Sequence, residues 1–258
     1  MEASQHSELV GDFVISILKK KSPIECVLLF DIDGTLIDSG GAGGGALLRA
    51  AREHFSQPEL KPVPLHGRTD RGIMSEMLEN AGISADQDNL RQLSERYFSI
   101  LPSEMKLRGG RVLPGVIELL EQLLDDPRIH LGIVTGNMPE SARIKLEHFQ
   151  LWQYFKFGVY GHEAAQRRDL SEPAWSSIRK HADHLSPENI VIIGDTELDV
   201  DLALTMNVRC LAVCTGGCDA ERLQLAGAHR VEQDLSDTEQ ILRWFHPSLS
   251  NQTITEKT

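Results

Sequence analysis

Five short apolar runs, CVLLFDIDG, IHLGIVTGN, FKFGVYG, NIVIIGD and VRCLAVCTGG, constrain this chain more than any other feature, because each ends at a polar residue or a glycine. Most carry their apolar residues without alternation, as strands of a parallel sheet covered on both faces do. Helical patterns separate them. Residues 114–124, PGVIELLEQLL, open with proline at a first turn and place Val116, Leu119, Leu120, Leu123 and Leu124 on one stripe. Further helices are expected near 139–149, 173–184 and 197–206. Strands alternating with helices predict an α/β fold with a doubly wound, mostly parallel sheet.

One region breaks the alternation. Residues 43–107 contain the helical patterns ALLRAAREHF, RGIMSEMLENAG and DNLRQLSERYFSIL but no buried strand. They are expected to form a helical cap domain inserted into an α/β core made of residues 25–42 and 108–246. The flanks SGGAGGG and KLRGGRVLPG are glycine-rich and read as hinges. Residues 1–24 are expected to be a helical extension, with the basic run Lys19–Lys21 a solvated helix end, and residues 247–258 a polar tail.

The 258 residues carry a formal net charge of -12, which disfavours a nucleic-acid partner because a phosphate backbone needs a basic face. The longest apolar runs have strand length, well short of the roughly 20 residues of a membrane-spanning helix. The N-terminus has its charges after its apolar part and does not read as a signal peptide, so a cytoplasmic location is expected. The four cysteines suit a reducing compartment. Cys210, Cys214 and Cys218 have an even spacing, but strand residues four apart lie about 13 Å apart, so small buried side chains are expected rather than a zinc site.

Ligands of an open α/β sheet bind outside the carboxyl ends of its strands. Asp31 and Asp33 follow VLLF, Thr135 follows GIV and Asp195 follows VIIG, so strands distant in sequence deliver these groups to one crevice. Asp31 and Asp33, two residues apart, start on the same side with Cα atoms about 6 to 7 Å apart. Asp195 and Asp199 add to a negative cluster that is unfavourable unless protons or a cation enter it. Oxygen-only ligands with water favour Mg²⁺ over zinc.

The combination of DIDGT, TGN and GDTELD at successive strand ends resembles the haloacid dehalogenase superfamily, in particular its phosphatases with a helical cap, similar to phosphoglycolate phosphatases. The resemblance covers about residues 25–235. It implies that Asp31 is a nucleophile forming an aspartyl-phosphate and that Asp33 protonates the leaving alkoxide, then deprotonates water. It also implies Mg²⁺ held by Asp31, the Asp33 main-chain carbonyl and Asp195, with Asp199 holding a metal-bound water or bracing Asp195. Thr135, with the N–H groups of Gly136 and Asn137, would bind the phosphate at a helix N-terminus. At the third motif many relatives place lysine before proline, whereas this chain has QRRDL, aligning Arg167 with the phosphate-binding cation and leaving Arg168 as the alternative.

Asp33 favours a phosphatase or a phosphomutase over relatives that cleave phosphonates or carbon–halogen bonds. The implied activity is hydrolysis of a small phosphorylated metabolite, with a mutase as the alternative and a non-catalytic binding module behind it. A dinucleotide-binding oxidoreductase is suggested by Gly41, Gly43 and Ala46, which match G-x-G-x-x-G/A. However, Gly41 lies seven residues beyond Gly34, where the strand has already ended, and no acidic strand end follows about 20 residues on. In LHGRTDRG, Arg68 is a candidate for a substrate anion, or else a solvent-facing arginine or one in a salt bridge with Asp70. His181 and His184 are read as surface residues.

Overall fold

The computed structural model describes residues 24–55 and 63–245. The expected N-terminal helix, its basic run and the polar tail lie outside the described residues. The chain runs β1 (Cys26–Phe30), β2 (Ile37–Asp38), α1 (Ala42–Phe55), α2 (Asp70–Asn80), α3 (Gln87–Arg108), β3 (Arg111–Val112), α4 (Val116–Leu124), β4 (Ile129–Thr135), α5 (Pro139–His148), β5 (Phe157–Tyr160), α6 (Ser171–Ala182), β6 (Ile190–Gly194), α7 (Glu197–Met206), β7 (Arg209–Val213), α8 (Ala220–Leu225), β8 (Arg230–Glu232) and α9 (Thr238–Phe245).

Six strands form one parallel sheet in the order β5-β4-β1-β6-β7-β8. The missing alternation in β1 has a direct cause. Leu28 and Phe30 enter one core with Leu119, Leu120, Leu123 and Leu146, while Val27 and Leu29 enter another with Ala174, Ile178, Leu202 and Ala203. Both faces are covered, so every position of the strand is apolar. Cys210 lies in the second core, and Cys214 and Cys218 pack half-buried against it.

From β1 the chain winds outward through β4 and β5, then returns to the other side of β1 through β6, β7 and β8. The reversal leaves a crevice at the carboxyl ends of β4, β1 and β6, where the sheet has no crossover to cover it.

The chain leaves this sheet through β2 and returns through β3, two short strands paired antiparallel as Ile37 with Val112 and Asp38 with Arg111. Between them α1, α2 and α3 enclose their own apolar cluster, including Leu47, Met74, Met77, Leu93, Tyr97 and Leu101. The expected strands and helices are present in this order, and four details differ. Gly43, Gly44 and Gly45 are helical rather than a hinge, because α1 begins at Ala42. α3 continues past Pro102 to Arg108, since burial of Leu101 and Met105 outweighs the proline penalty. Leu124 is 45% exposed, because it lies about 80° around α4 from Val116. The two-residue ribbon and the edge strand β8 carry no apolar run to announce them.

Leu120 and Leu124 thus separate stripe from surface. Leu120→Ala lowers the unfolding free energy by about 3 kcal/mol through the lost burial and the cavity left behind. Leu124→Ala changes it by less than about 0.5 kcal/mol. Urea titration of the two variants checks the pair, and equal midpoints would contradict this packing.

Candidate active site

Each strand end places its polar residue by backbone bonding. Asp31 continues β1, its N–H donating to the Ile193 carbonyl at 2.9 Å, and the chain then turns back as the Leu36 and Ile37 N–H groups donate to the Ile32 carbonyl. Gly34 makes this turn at φ +84°, where a Cβ would lie 2.7 Å from the Asp195 carboxyl carbon. Gly216 comes against the same carboxylate from the loop after β7, and Thr215 Oγ1 donates to the Gly34 carbonyl at 2.5 Å. Two backbones without side chains therefore close around Asp195, while Thr35 Oγ1 donates to its Oδ1 at 3.2 Å.

Asp31, Asp195 and Asp199 are buried and offer carboxylate oxygens within 4.8 Å of one another. Arg167, the first residue of a 3₁₀ turn, enters this cluster. Its Nη2 donates to Asp31 Oδ1 at 2.8 Å, to the Val134 carbonyl at 3.1 Å and to Asp199 Oδ1. Arg168 points outward, pairing with Asp201 at 3.5 Å. The geometry thus brings Arg167 to Asp31 and leaves Arg168 at the surface. Asp199 uses its other oxygen to accept from the Thr196 N–H and hydroxyl, completing a capping box at the start of α7.

Burial dominates the Asp31 carboxyl and pushes its pKa up to about 6, with Arg167 opposing and Asp199 adding to the rise. Burial likewise holds Asp195 well above the usual carboxylate range, and the Asp199 and Asp31 charges push in the same direction. Burial works against the Arg167 charge, but Asp199 and Asp31 outweigh it and raise its pKa.

Asp33 sits half-buried across the crevice from this cluster. Its Oδ1 accepts from Ser39 Oγ at 3.1 Å, and its Oδ2 accepts from Asn137 Nδ2 at 2.9 Å and Lys145 Nζ at 2.6 Å. Burial pushes this carboxyl up, yet Lys145, Asn137 and Ser39 together bring it below the ordinary value. Thr135 is fully buried at the end of β4, and its hydroxyl accepts from the Asn137 N–H at 3.2 Å and Nδ2 at 2.9 Å. The Asn137 N–H expected to face a ligand is therefore turned onto Thr135, and the Asn137 side chain links Thr135 to Asp33.

A cleft of about 440 Å³ opens over these groups, lined from the sheet side by Asp31, Asp33 and Gly136 and from the helical side by Leu65, His66 and Arg68. Arg68 lines this space, but its ion-pair partner is Glu76 at 2.7 Å rather than Asp70. Asp70 instead accepts from the Met138 N–H at 2.9 Å and Ser141 Oγ at 2.8 Å, capping α5 from another helix. Thr69 Oγ1 donates to the Ala165 carbonyl at 2.7 Å, and the Asp70 N–H to the Gly136 carbonyl at 2.6 Å. His181 and His184 are exposed, His181 stacking on Phe157 and His184 Nε2 meeting the Ile24 carbonyl at 2.8 Å.

Sequence reading missed Lys145 and Asp70. The signal for Lys145 lay in α5, where Ser141 and Lys145, one turn apart, are buried polar residues on the inward side beside Ala142 and Leu146.

The cluster fits a divalent cation. Among the described residues, Arg167 pairs with Asp31 and Asp199 and Lys145 with Asp33, so with Asp195 four carboxylates against two cations leave two formal negative charges beside oxygen-only donors. Among the described residues Asp31, Asp195 and Asp199 are the one grouping of three or more His, Cys, Asp or Glu side chains able to share an ion.

Residues 28–213 match the family model described as haloacid dehalogenase-like hydrolase. A phosphoglycolate phosphatase of Chromobacterium violaceum is 28% identical over 199 residues, covering 75% of this chain and 87% of that protein. Pyrophosphatase PpaX of Oceanobacillus iheyensis is 23% identical over 224 residues, covering 81% and 93%. Among solved structures, a hydrolase from Pseudomonas syringae aligns with a TM-score of 0.63 at 24% identity, covering 85% of this chain and 98% of that one. A β-phosphoglucomutase from Clostridium difficile aligns at 0.67 with 17% identity, covering 88% and 99%, and at that identity the likeness shows the fold alone.

Removing Arg167 strands two buried carboxylates. In EDTA, Arg167→Met lowers stability by about 3 kcal/mol or more, whereas Arg168→Met, at an exposed pair, costs less than about 1 kcal/mol. Denaturant midpoints of the two proteins decide this, and an undiminished midpoint for Arg167→Met would refute the buried contact.

Proposed function

The chain belongs to the haloacid dehalogenase-like hydrolase family, and from that membership we propose that it is a Mg²⁺-dependent phosphomonoester hydrolase acting on a small phosphorylated metabolite through an aspartyl-phosphate. The observation that carries the reading is the placement of two unlike carboxyls at one strand end. Asp31 lies against Arg167 in the buried cluster, and Asp33 faces it from a separate set of donors.

Asp31 is the nucleophile. Arg167 holds its Oδ1, and Oδ2 accepts no hydrogen bond from the described residues, so that oxygen is available to phosphorus. A carboxylate nucleophile divides one difficult displacement into two easier ones. Arg167 spans Asp31 and the phosphoryl oxygens and offsets their charge as it shifts. Its buried Nε has no hydrogen-bond partner among the described residues and is a donor left for the phosphoryl group.

Asp33 is the general acid and base. It gives its proton to the leaving oxygen as the phosphorus–oxygen bond breaks, then takes one from the water that attacks the aspartyl-phosphate. Asp31, Asp195 and the Asp33 main-chain carbonyl would hold Mg²⁺, which when bound supplies charge neutralisation at the phosphoryl oxygens. Asp199, engaged by Arg167 and by the α7 cap, braces Asp195 and Arg167 rather than reaching the substrate. Thr135 and the Gly136 N–H flank the phosphoryl position.

The helical insert, residues 43–107, acts as the cap domain on a core of residues 25–42 and 108–246. It supplies Leu65, His66 and Arg68 to the cleft wall and excludes water when docked. A cleft of about 440 Å³ suits a metabolite rather than a polymer. The phosphatases it resembles carry different substrate names, so the class stays at small phosphorylated metabolites.

Phosphate release from 4-nitrophenyl phosphate is expected to stop in EDTA and return with Mg²⁺. Asp31→Asn lowers turnover about a thousandfold or more, as loss of a nucleophile does. Full turnover in Asp31→Asn, measured by released phosphate, would overturn the reading.

A further inference from the structure

The Lys145 ammonium lies in the wall of the cleft, and no part of the chemistry above uses it. The residue is 4% exposed, its side chain reaching from α5 to donate to Asp33 Oδ2 at 2.6 Å and to Asn137 Oδ1 at 2.6 Å. Asn137 Nδ2 donates to the same Asp33 Oδ2 at 2.9 Å, so lysine, amide and carboxylate close a ring of hydrogen bonds. Gly43 is the residue of α1 that faces this ammonium. A Cβ there would stand 3.0 Å from Nζ, so the glycine leaves the room that the lysine occupies.

The two oxygens of Asp33 are consequently unlike. Oδ2 faces two fixed donors, and a proton placed on it would oppose both of them. Among the described residues, Oδ1 has a hydrogen bond from the Ser39 hydroxyl alone, which can donate or accept by rotation.

We propose that Lys145 is a positioning residue that, with Asn137, locks Asp33 Oδ2 and so leaves Oδ1 as the oxygen that exchanges the proton with the leaving group. This rests on the assignment of Asp33 as general acid. In the transfer step the Oδ1–H bond breaks and the new O–H bond forms on the departing oxygen, while the phosphorus–oxygen bond electrons go to that oxygen. Asp33 is left as the carboxylate, with the hydrogen bond from Lys145 Nζ to Oδ2 unchanged.

The test compares two esters of nearly the same shape, 4-nitrophenyl phosphate and phenyl phosphate. The nitrophenolate departs with little help from a proton, and phenolate needs more. The quantity read is kcat/KM with Mg²⁺ present, since it reports transfer to Asp31 whichever later step is slow. In Lys145→Met the loss on phenyl phosphate exceeds the loss on 4-nitrophenyl phosphate by about tenfold, part of the hundredfold or more that a general acid contributes. Lys145→Gln, which keeps an amide NH2 donor without the charge, falls between wild type and Lys145→Met, and it carries the comparison alone if the methionine protein does not fold.

Equal losses on both esters would overturn the proposal, because weakened binding or a disturbed fold affects the two alike. Asp33→Asn separates the two levels of inference. If it discriminates between the esters and the Lys145 variants do not, Lys145 has no positioning role and Asp33 keeps its own. If Asp33→Asn shows no discrimination, the general-acid assignment falls, and the role of Lys145 falls with it.

Discussion

Arg167 stands between Asp31 and Asp199, and the rest of the site is arranged around the problem that these charges pose. Three buried carboxylates at 4.8 Å or less would repel one another in a poorly screened interior. The guanidinium offsets part of that repulsion, and the remainder makes the cluster receptive to a cation. Gly34 and Gly216 follow from the same constraint, because Asp195 is held so tightly between two backbones that neither can carry a side chain. The capping box on α7 follows as well, since it ties Asp199 to a helix start and keeps the Arg167 partner in place.

A second constraint acts across the crevice. The helical insert touches the sheet through Thr69 and Asp70, whose bonds go to the loops that carry Gly136, Met138 and Ala165. These loops also carry Thr135, Asn137 and Arg167. Docking of the insert and ordering of these loops are thus one set of hydrogen bonds. The glycines at the start of α1 serve that closeness: Gly43 admits Lys145, and a Cβ at Gly44 would press on Leu65 at 2.6 Å.

The order of strands and helices was legible because burial on both faces removes alternation from a strand, and that leaves a pattern in the amino acids themselves. The carboxylates and Thr135 were legible for a related reason. A strand end in a parallel sheet points to one edge whatever the neighbours are, so Asp31, Asp33, Thr135 and Asp195 were assigned to one crevice without knowing strand order. Gly43 to Gly45 misled, because glycine lowers helix propensity by about 1 kcal/mol per residue and tertiary packing of Ala42, Ala46 and Ala50 overrode it.

What the chain determined by itself, then, was the class of fold, the edge of the sheet that bears the candidate site and the residues standing at that edge. The tertiary structure decided which of two adjacent arginines turns inward, that Asp70 caps a distant helix rather than pairing with Arg68, and that Lys145 reaches Asp33. The reason is physical. Strand ends are set by local periodicity, whereas the partner of a long side chain depends on where a helix over a hundred residues away comes to rest, as the 112-residue separation of Asp33 and Lys145 shows.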